Sequence, residues 1–355
     1  MECIVHRRSL LAASLLAPAF LYAPRAAIAQ KTAVNGAGTS FLRALYMGWA
    51  QEAAKETGFE TAYEAASSDQ GVARATQRAV DFGACETPLS PGRLRERNLV
   101  QFPSCFGSMV IAATVPGVGQ NQLRLTPEVL ADIFLGKIAK WNDARIVEHN
   151  RDLRLPDIAV VPVYRTDPAG TNYVQTVYLS RVSEAWANGP RAGTVVKWPE
   201  GGKSAAGIAG VAKAIKETPG AIGCSNVFTA KAQELVTVQL RNRAGEFVKP
   251  DIASFSAAAA AAEWTPQNTA DAIDTAAAGA WPIASPTFIL LPSNPGAEKV
   301  QATLGAMKLF DWAFTKGGEI ARELGYVPLP EMAQASIRAS WSEVRGPDGK
   351  PIWEA

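Results

Sequence analysis

Small polar residues lie in three segments where a strand is expected to give way to a helix. These segments contain Ser40, Ser68 and Thr171, and the third segment, residues 165–171, also carries Arg165. The first N–H groups of a helix have no partner within the helix and carry a partial positive charge, so they bind anions. Serine and threonine are also ordinary helix caps, so one such segment alone indicates only a cap. The three together predict an anion-binding site but do not name its ligand.

The elements that would position these segments alternate between short apolar strands and helical stretches. This alternation predicts an α/β architecture with largely parallel sheets. In such open sheets, loops at the carboxyl ends of the strands gather where ligands bind. We expect strands at residues 32–34, 61–63, 80–84 and 160–163, a turn at 35–39, a polar loop at 67–71, and helices after each of the three polar segments.

Apolar spacing supports the first and third of these helices. The first should bury a face made of Phe41, Leu42, Leu45, Tyr46 and Trp49, at intervals of three and four residues. Two continuous apolar runs, residues 108–115 and 288–291, predict buried strands, and the alanine run at residues 257–262 predicts a local helix.

Histidine and cysteine argue against catalysis and against a metal site. The chain has two histidines, His6 and His149, and His6 lies in a segment that we interpret as a signal. A Ser-His-Asp triad would need His149, which lies in a polar stretch expected to be a solvated loop, and a site with several histidine ligands is excluded. We therefore expect no enzyme activity, no metal and no cofactor.

The cysteines outside the signal are Cys85, Cys105 and Cys224. Three cysteines cannot all pair within one chain, and their spacing matches no zinc pattern. Buried thiols are one interpretation, and one disulfide between two of them is the other; the sequence does not say which two.

The N-terminus has the pattern of an export signal. Arg7 and Arg8 precede an apolar stretch from Leu10 to Ala23, and the small residues at 27–29 predict cleavage before Gln30. Two adjacent arginines are also typical of a twin-arginine signal, and the ordinary secretory signal remains the alternative. The apolar stretch is 14 residues long, whereas a bilayer span needs about 20. We expect a periplasmic protein that does not span the membrane.

Charge gives no reason to expect nucleic acid. Of 355 residues, 35 are basic and 33 acidic, and removal of residues 1–29 leaves 32 of each and a net charge of zero. Basic residues are not concentrated in any stretch of the chain. A composition of 48% hydrophobic and 19% charged residues indicates a folded protein long enough for two domains.

A series of motifs resembles the periplasmic phosphate-binding proteins that serve ABC-type phosphate importers. The resemblance covers almost the whole chain after the signal, and the motifs keep the order and spacing of the family. They include Gly36-Ala37-Gly38, residues 80–84 (VDFGA), 88–90 (PLS), 101–103 (QFP), 130–138 (LADIFLGKI), 140–143 (KWND), 194–199 (TVVKWP), 219–223 (PGAIG) and 281–283 (WPI).

This resemblance implies a two-lobed α/β clamp, the type 2 periplasmic-binding-protein fold, in which two crossover strands form the hinge. Residues 30–105 plus 284–355 would form the first lobe and residues 106–283 the second. The two apolar runs described above would supply the hinge strands. It also implies that the chain captures inorganic phosphate, acts as a monomer, and delivers phosphate to the permease and ATPase subunits of an importer.

The resemblance also implies the site residues. Ligand contacts carried over position by position fall on Ser40, Phe41 (through its backbone N–H), Ser68, Glu86, Arg165, Gly170 and Thr171, with Asp167 orienting the arginine and Ala169 beside it.

The sequence departs from the family at three of these positions. The family has threonine at Ser40, aspartate at Glu86 and serine at Ala169, so the last change deletes a hydroxyl donor. Asp69 and Gln70 also replace small residues; Asp69 would either cap a helix and face away from the ligand or add a negative charge to the site. Two alternatives to phosphate capture remain. The first is a binding protein of the same fold for another oxyanion or small ligand. The second is a secreted phosphate-ester hydrolase that uses the same anion site.

Overall fold

The computed structural model describes residues 32–354. The strands are β1 (Thr32–Thr39), β2 (Phe59–Ala66), β3 (Phe82–Cys85), β4 (Leu99–Ala113), β5 (Arg124–Leu125), β6 (Val161–Arg165), β7 (Lys203–Ala205), β8 (Ala221–Asn226), β9 (Gln239–Arg241), β10 (Phe247–Val248), β11 (Glu263–Trp264), β12 (Ala270–Asp271) and β13 (Ala284–Pro292).

The α-helices are α1 (Arg43–Thr57), α2 (Ser68–Thr76), α3 (Pro91–Arg97), α4 (Pro127–Phe134), α5 (Ala144–Val147), α6 (Gly170–Val182), α7 (Glu184–Asn188), α8 (Gly207–Glu217), α9 (Val227–Ala232), α10 (Ile252–Ala260), α11 (Val300–Thr315), α12 (Gly318–Glu323) and α13 (Glu331–Ser340). A 3₁₀ turn follows at Trp341–Glu343. Within residues 32–354, no helix combines the length and the apolar character that a membrane crossing requires.

The main sheet is curled and mixed, in the order β2-β1-β3-β13-β4-β8-β6-β7. The pairs among β2, β1 and β3 at one end and among β8, β6 and β7 at the other are parallel, whereas β13 and β4 pair antiparallel to their neighbours. The prediction of parallel strands is therefore correct for the two ends and wrong for the middle.

β4 connects the two ends because it changes partners along its length. Residues 99–108 pair with β13, and residues 109–113 pair with β8. The run at 288–291 lies in β13, and the run at 108–115 lies in β4 up to Ala113, where the strand ends. β4 begins nine residues earlier than expected because its first half is also buried.

The expected turn at residues 35–39 is wrong, since β1 continues to Thr39. Neighbouring strands β2 and β3 pair with it on both sides, so the backbone of this glycine-rich segment is held extended. Gly38 is required there because a Cβ would lie 2.1 Å from the carbonyl oxygen of Ala84. The glycines permit close strand packing and do not form a turn.

Two further boundaries differ from expectation. The loop predicted at residues 67–71 is already helical from Ser68, because the Ser67 side chain caps α2 by accepting from the backbone N–H of Gln70. The first helix starts at Arg43, two residues after Phe41. The alanine run lies in α10, as expected, and the expected strands at 61–63, 80–84 and 160–163 correspond to β2, β3 and β6.

The three cysteines are buried free thiols, so the disulfide alternative is wrong. Their burial raises the pKa of each thiol well above its usual range. His149 follows α5 half-buried rather than in an open loop, with its ring 5.6 Å from that of Phe247. The expected export signal lies outside the described residues.

Candidate functional site

The site forms where the ends of β1 and β3 meet the first turns of α2 and α6. Ser40 follows β1, and Glu86 follows β3, its neighbour in the sheet. Ser68 is the first residue of α2, and Gly170 and Thr171 are the first two residues of α6. Two helix N-termini therefore meet in this region, whereas the sequence analysis expected three, because α1 starts only at Arg43.

Glu86 and Ser68 form the centre of this region. The Ser68 hydroxyl donates to Oε2 of Glu86 at 2.5 Å, and both side chains are 1% exposed. The other carboxylate oxygen, Oε1, makes no hydrogen bond of ordinary geometry with the described residues. Burial raises the pKa of Glu86, although the Ser68 and Thr39 hydroxyls and the charge of Arg165 act in the opposite direction. A buried acceptor is therefore available to a ligand that carries a proton.

Gly170 brings α6 into contact with this pair. A Cβ at Gly170 would lie 2.0 Å from Oε2 of Glu86 and 2.3 Å from the Ser68 hydroxyl oxygen. Any larger residue would push the first turn of α6 away from Glu86. The glycine is needed for close approach between segments far apart in the chain.

Arg165 supplies the positive charge and is 9% exposed. Its Nε and Nη2 donate to the Asp167 carboxylate, and its Nη1 donates to the hydroxyl of Thr171 at 3.0 Å. Oδ1 of Asp167 also accepts from the backbone N–H of Gly207 at 2.7 Å. Burial would raise the pKa of Asp167, but the hydrogen bonds from Arg165 and Gly207 outweigh it and lower that pKa. The carboxylate thus orients the guanidinium toward Thr171.

Asn172 is a buried positioning residue that the sequence analysis did not single out. Its side-chain amide donates to the backbone carbonyls of Arg165, Asp167 and Thr194, at 3.0–3.2 Å. It thereby ties the loop after β6 to the first turn of α6. An asparagine in a first helical turn is a weak signal, because such residues commonly cap helices without any ligand.

Phe41 is held by its carbonyl, which accepts from the Asn226 amide at 3.1 Å and from the Tyr326 hydroxyl at 2.6 Å. Its backbone N–H donates to the Thr39 hydroxyl at 3.0 Å. The Phe41 N–H that the resemblance assigns to the ligand is therefore bonded to Thr39 in this structure. The buried Ser40 hydroxyl has no hydrogen-bonding partner within residues 32–354.

Ala169 is the buried N-cap residue of α6, and no side chain makes a capping hydrogen bond there. Its N–H donates to the carbonyl of Thr194. The hydroxyl that the family has here is missing, and no other side chain takes over the cap.

Asp69 does not cap α2, because Ser67 does. Its Oδ2 instead accepts from the Thr194 hydroxyl at 3.0 Å. The expectation of an Asp69 helix cap is therefore wrong. The side chain is exposed and satisfied by a hydroxyl rather than by a cation.

Chemically, this arrangement suits binding and not catalysis. It offers the guanidinium of Arg165, the hydroxyls of Ser40 and Thr171, the N–H groups of two helix N-termini, and one buried carboxyl acceptor. Of residues 32–354, no group of three or more His, Cys, Asp or Glu is placed to hold a metal ion. These groups together have the chemistry to bind an oxyanion, with several donors and one carboxyl acceptor.

Comparison with known proteins decides the family. A model of the PBP superfamily domain matches residues 25–317. The phosphate-binding protein PstS of Pasteurella multocida is 40% identical over 341 residues, which cover 95% of this chain and 98% of that protein. The chain belongs to the family of periplasmic phosphate-binding proteins. The phosphate-binding protein PstS of Haemophilus influenzae is 38% identical over 88% of this chain and 93% of its own length.

Solved structures of phosphate-binding proteins share the fold. A high-affinity periplasmic phosphate-binding protein with bound phosphate superposes with a TM-score of 0.68 at 21% identity, covering 87% of this chain and 94% of that one. An ABC-type phosphate transport receptor from Vibrio cholerae gives 0.56 at 15% identity, covering 84% and 100%. The expected two-lobed type 2 fold is confirmed, and the family is one of solute-binding proteins, which leaves the hydrolase alternative without support.

Proposed function

We propose that this phosphate-binding-family protein captures inorganic phosphate outside the cytoplasm and delivers it to the permease and ATPase subunits of an ABC importer. The observation that carries the proposal is the buried carboxyl of Glu86, which lies against Gly170 at the start of α6 and whose Oε1 makes no hydrogen bond of ordinary geometry with the described residues. Monohydrogen phosphate offers one proton to such an acceptor and lone pairs to the surrounding donors. The relatives named as phosphate-binding proteins support the same ligand.

Isothermal titration with phosphate tests this proposal, with sulfate as the matched anion. Binding of phosphate with exclusion of sulfate is the expected result. Heat from neither anion would contradict the proposal and favour the alternative, a binding protein of the same fold for another ligand, which a thermal-shift screen would then identify. The missing hydroxyl at Ala169 is the observation that keeps this alternative in view.

For the lobes, we propose that residues 30–105 plus 284–355 close against residues 106–283 about β4 and β13. Ser40, Ser68 and Glu86 would then lie on one lobe and Arg165, Gly170 and Thr171 on the other. The change of partner within β4 supports this division, since the strand pairs with β13 up to Ser108 and with β8 beyond it. Contacts present only in the closed form are what let a ligand shift the population. Small-angle scattering should report a smaller radius of gyration with phosphate; an unchanged radius at saturation would contradict closure.

We also propose that residues 1–29 form an export signal, of the twin-arginine or the ordinary secretory type, and that the mature monomer works in the periplasm. Mass spectrometry of the exported protein should show a chain beginning at Gln30. An exported chain that retains Met1 would overturn this proposal.

A further inference from the structure

Asp69 makes a hydrogen bond between the Ser68 side of the site and the Thr171 side. It lies in the first turn of α2, directly after Ser68, and its Oδ2 accepts from the Thr194 hydroxyl at 3.0 Å. Thr194 belongs to the segment that follows α7, and the two residues are 125 positions apart in the chain. We call this contact the Asp69–Thr194 bridge.

Thr194 is fastened to the first turn of α6. Its carbonyl accepts from the backbone N–H of Ala169 and from the side-chain amide of Asn172, both at 3.1 Å. The same Asn172 amide donates to the carbonyls of Arg165 and Asp167. Thr194 therefore moves with the group that presents Arg165, Gly170 and Thr171, so a bond to Thr194 is a bond to that side of the site.

The bridge lies at an opening to the solvent. Asp69 and Thr194 line a cavity of about 470 Å³ that reaches Ser68, and Tyr173 and Arg97 line it as well. Because the contact spans this opening, it can form only while the two sides are as close as they are in this structure. Its carboxylate acceptor makes it stronger than a hydrogen bond between neutral groups.

We propose that Asp69 is a positioning residue whose bridge to Thr194 holds the two sides of the site together and slows release of the bound anion. The proposal rests on the proposed function, with phosphate as the anion. A contact made only in the closed arrangement favours that arrangement and lengthens the residence time. A carboxylate that merely faced the site would do the opposite, because its charge would repel the anion and speed release.

Stopped-flow measurement of phosphate dissociation separates the two roles. Asp69→Ala and Thr194→Val should each raise the dissociation rate about three- to tenfold, and the double variant should be no faster than either. Thr194→Ser keeps the hydroxyl and should restore the original rate. Asp69→Asn keeps an acceptor without the charge and should fall between wild type and Asp69→Ala. Thr315→Val, which removes a hydroxyl that bonds within α11, is the matched control and should change nothing.

Three results would overturn the proposal: slower release from Asp69→Ala or Asp69→Asn, no change in Thr194→Val, or additive effects in the double variant. If wild type binds no phosphate in the titration, the proposed function fails instead. The bridge is then judged by small-angle scattering of the protein without ligand, where Asp69→Ala and Thr194→Val should have a larger radius of gyration than wild type. Equal radii would refute the bridge as well.

Discussion

The Glu86 carboxylate and the α-carbon of Gly170 lie so close that no side chain fits between them, since a Cβ on Gly170 would be 2.0 Å from Oε2. Glu86 directly follows β3, and Gly170 begins α6. The contact between Glu86 and Gly170 therefore positions the Glu86 carboxyl against the N-terminus of α6. Changes at either residue should alter ligand binding before they alter folding.

Gly170→Ala should weaken phosphate binding roughly ten- to hundredfold, because the added methyl group overlaps Glu86 and Ser68 and overpacking costs about 1–3 kcal/mol. Titration calorimetry gives the affinity, and the melting temperature reports on folding. Gly92→Ala is the control, since a Cβ there meets open space. Full affinity in Gly170→Ala would contradict the close contact.

Glu86→Gln should admit sulfate to a site that excludes it in the wild type. An ionised carboxylate only accepts hydrogen bonds, so it opposes an anion without a proton, whereas an amide supplies a donor. Competition titrations should show a lower ratio of phosphate to sulfate affinity. An unchanged ratio would mean that Glu86 does not face the ligand.

Arg165→Ala should abolish measurable phosphate binding. It removes the guanidinium that donates to Thr171 and leaves Asp167 with Gly207 as its remaining partner, so a carboxylate without its cation lies beside the anion. Arg165→Lys should bind weakly, because one ammonium cannot replace the fork that meets both residues. Arg145→Ala, which removes an exposed arginine that pairs with Asp143, is the control and should bind normally. Retained affinity in Arg165→Ala would exclude it from the site.

Ala169→Ser should strengthen phosphate binding by up to about tenfold, because it restores a hydroxyl at the N-cap of α6 and such bonds to a charged group contribute about 1.5–3 kcal/mol before the cost of ordering them. The chain offers a matched control in Ala206, another alanine at an N-cap without a side-chain bond. Ala206→Ser should raise the melting temperature through capping alone and leave the affinity unchanged. Equal affinities for all three proteins would place residue 169 outside the site.

Glu86 should make the stability of the ligand-free protein fall as the pH rises. Burial raises its pKa in the folded state above the usual value of 4.5. The native protein therefore holds this proton more tightly than the unfolded chain, so the stabilisation is complete below the unfolded pKa and is lost as the pH rises through the folded pKa. Glu86→Gln lacks this titration. Its melting temperature relative to wild type should increase from pH 4 to pH 8, and a constant difference would contradict the raised pKa of the buried Glu86 carboxyl.

The sequence could predict two of the helix starts that flank the candidate site, because local patterns encode helix starts. Ser68 and Thr171 lie in the first turns of α2 and α6 as expected, since a strand followed by small polar residues leads into a helix. The turn predicted at residues 35–39 is a strand instead, because glycine occurs both in turns and where strands pack closely. Its extended form depends on pairing with β2 and β3, which no local pattern reveals.

Contacts between distant segments could not be predicted. Asn172 donates to three carbonyls from two loops, and Asp69 accepts from Thr194. No spacing in the sequence indicates any of these contacts. The partner change along β4 likewise depends on β8 and β13, which lie far apart in sequence.

Titration of the wild-type mature protein with phosphate and then sulfate at neutral pH tests the central claim most directly. The buried carboxyl acceptor of Glu86 predicts saturable binding of phosphate and no detectable heat with sulfate. Sulfate binding as tight as phosphate binding, or no binding of phosphate, would contradict the account.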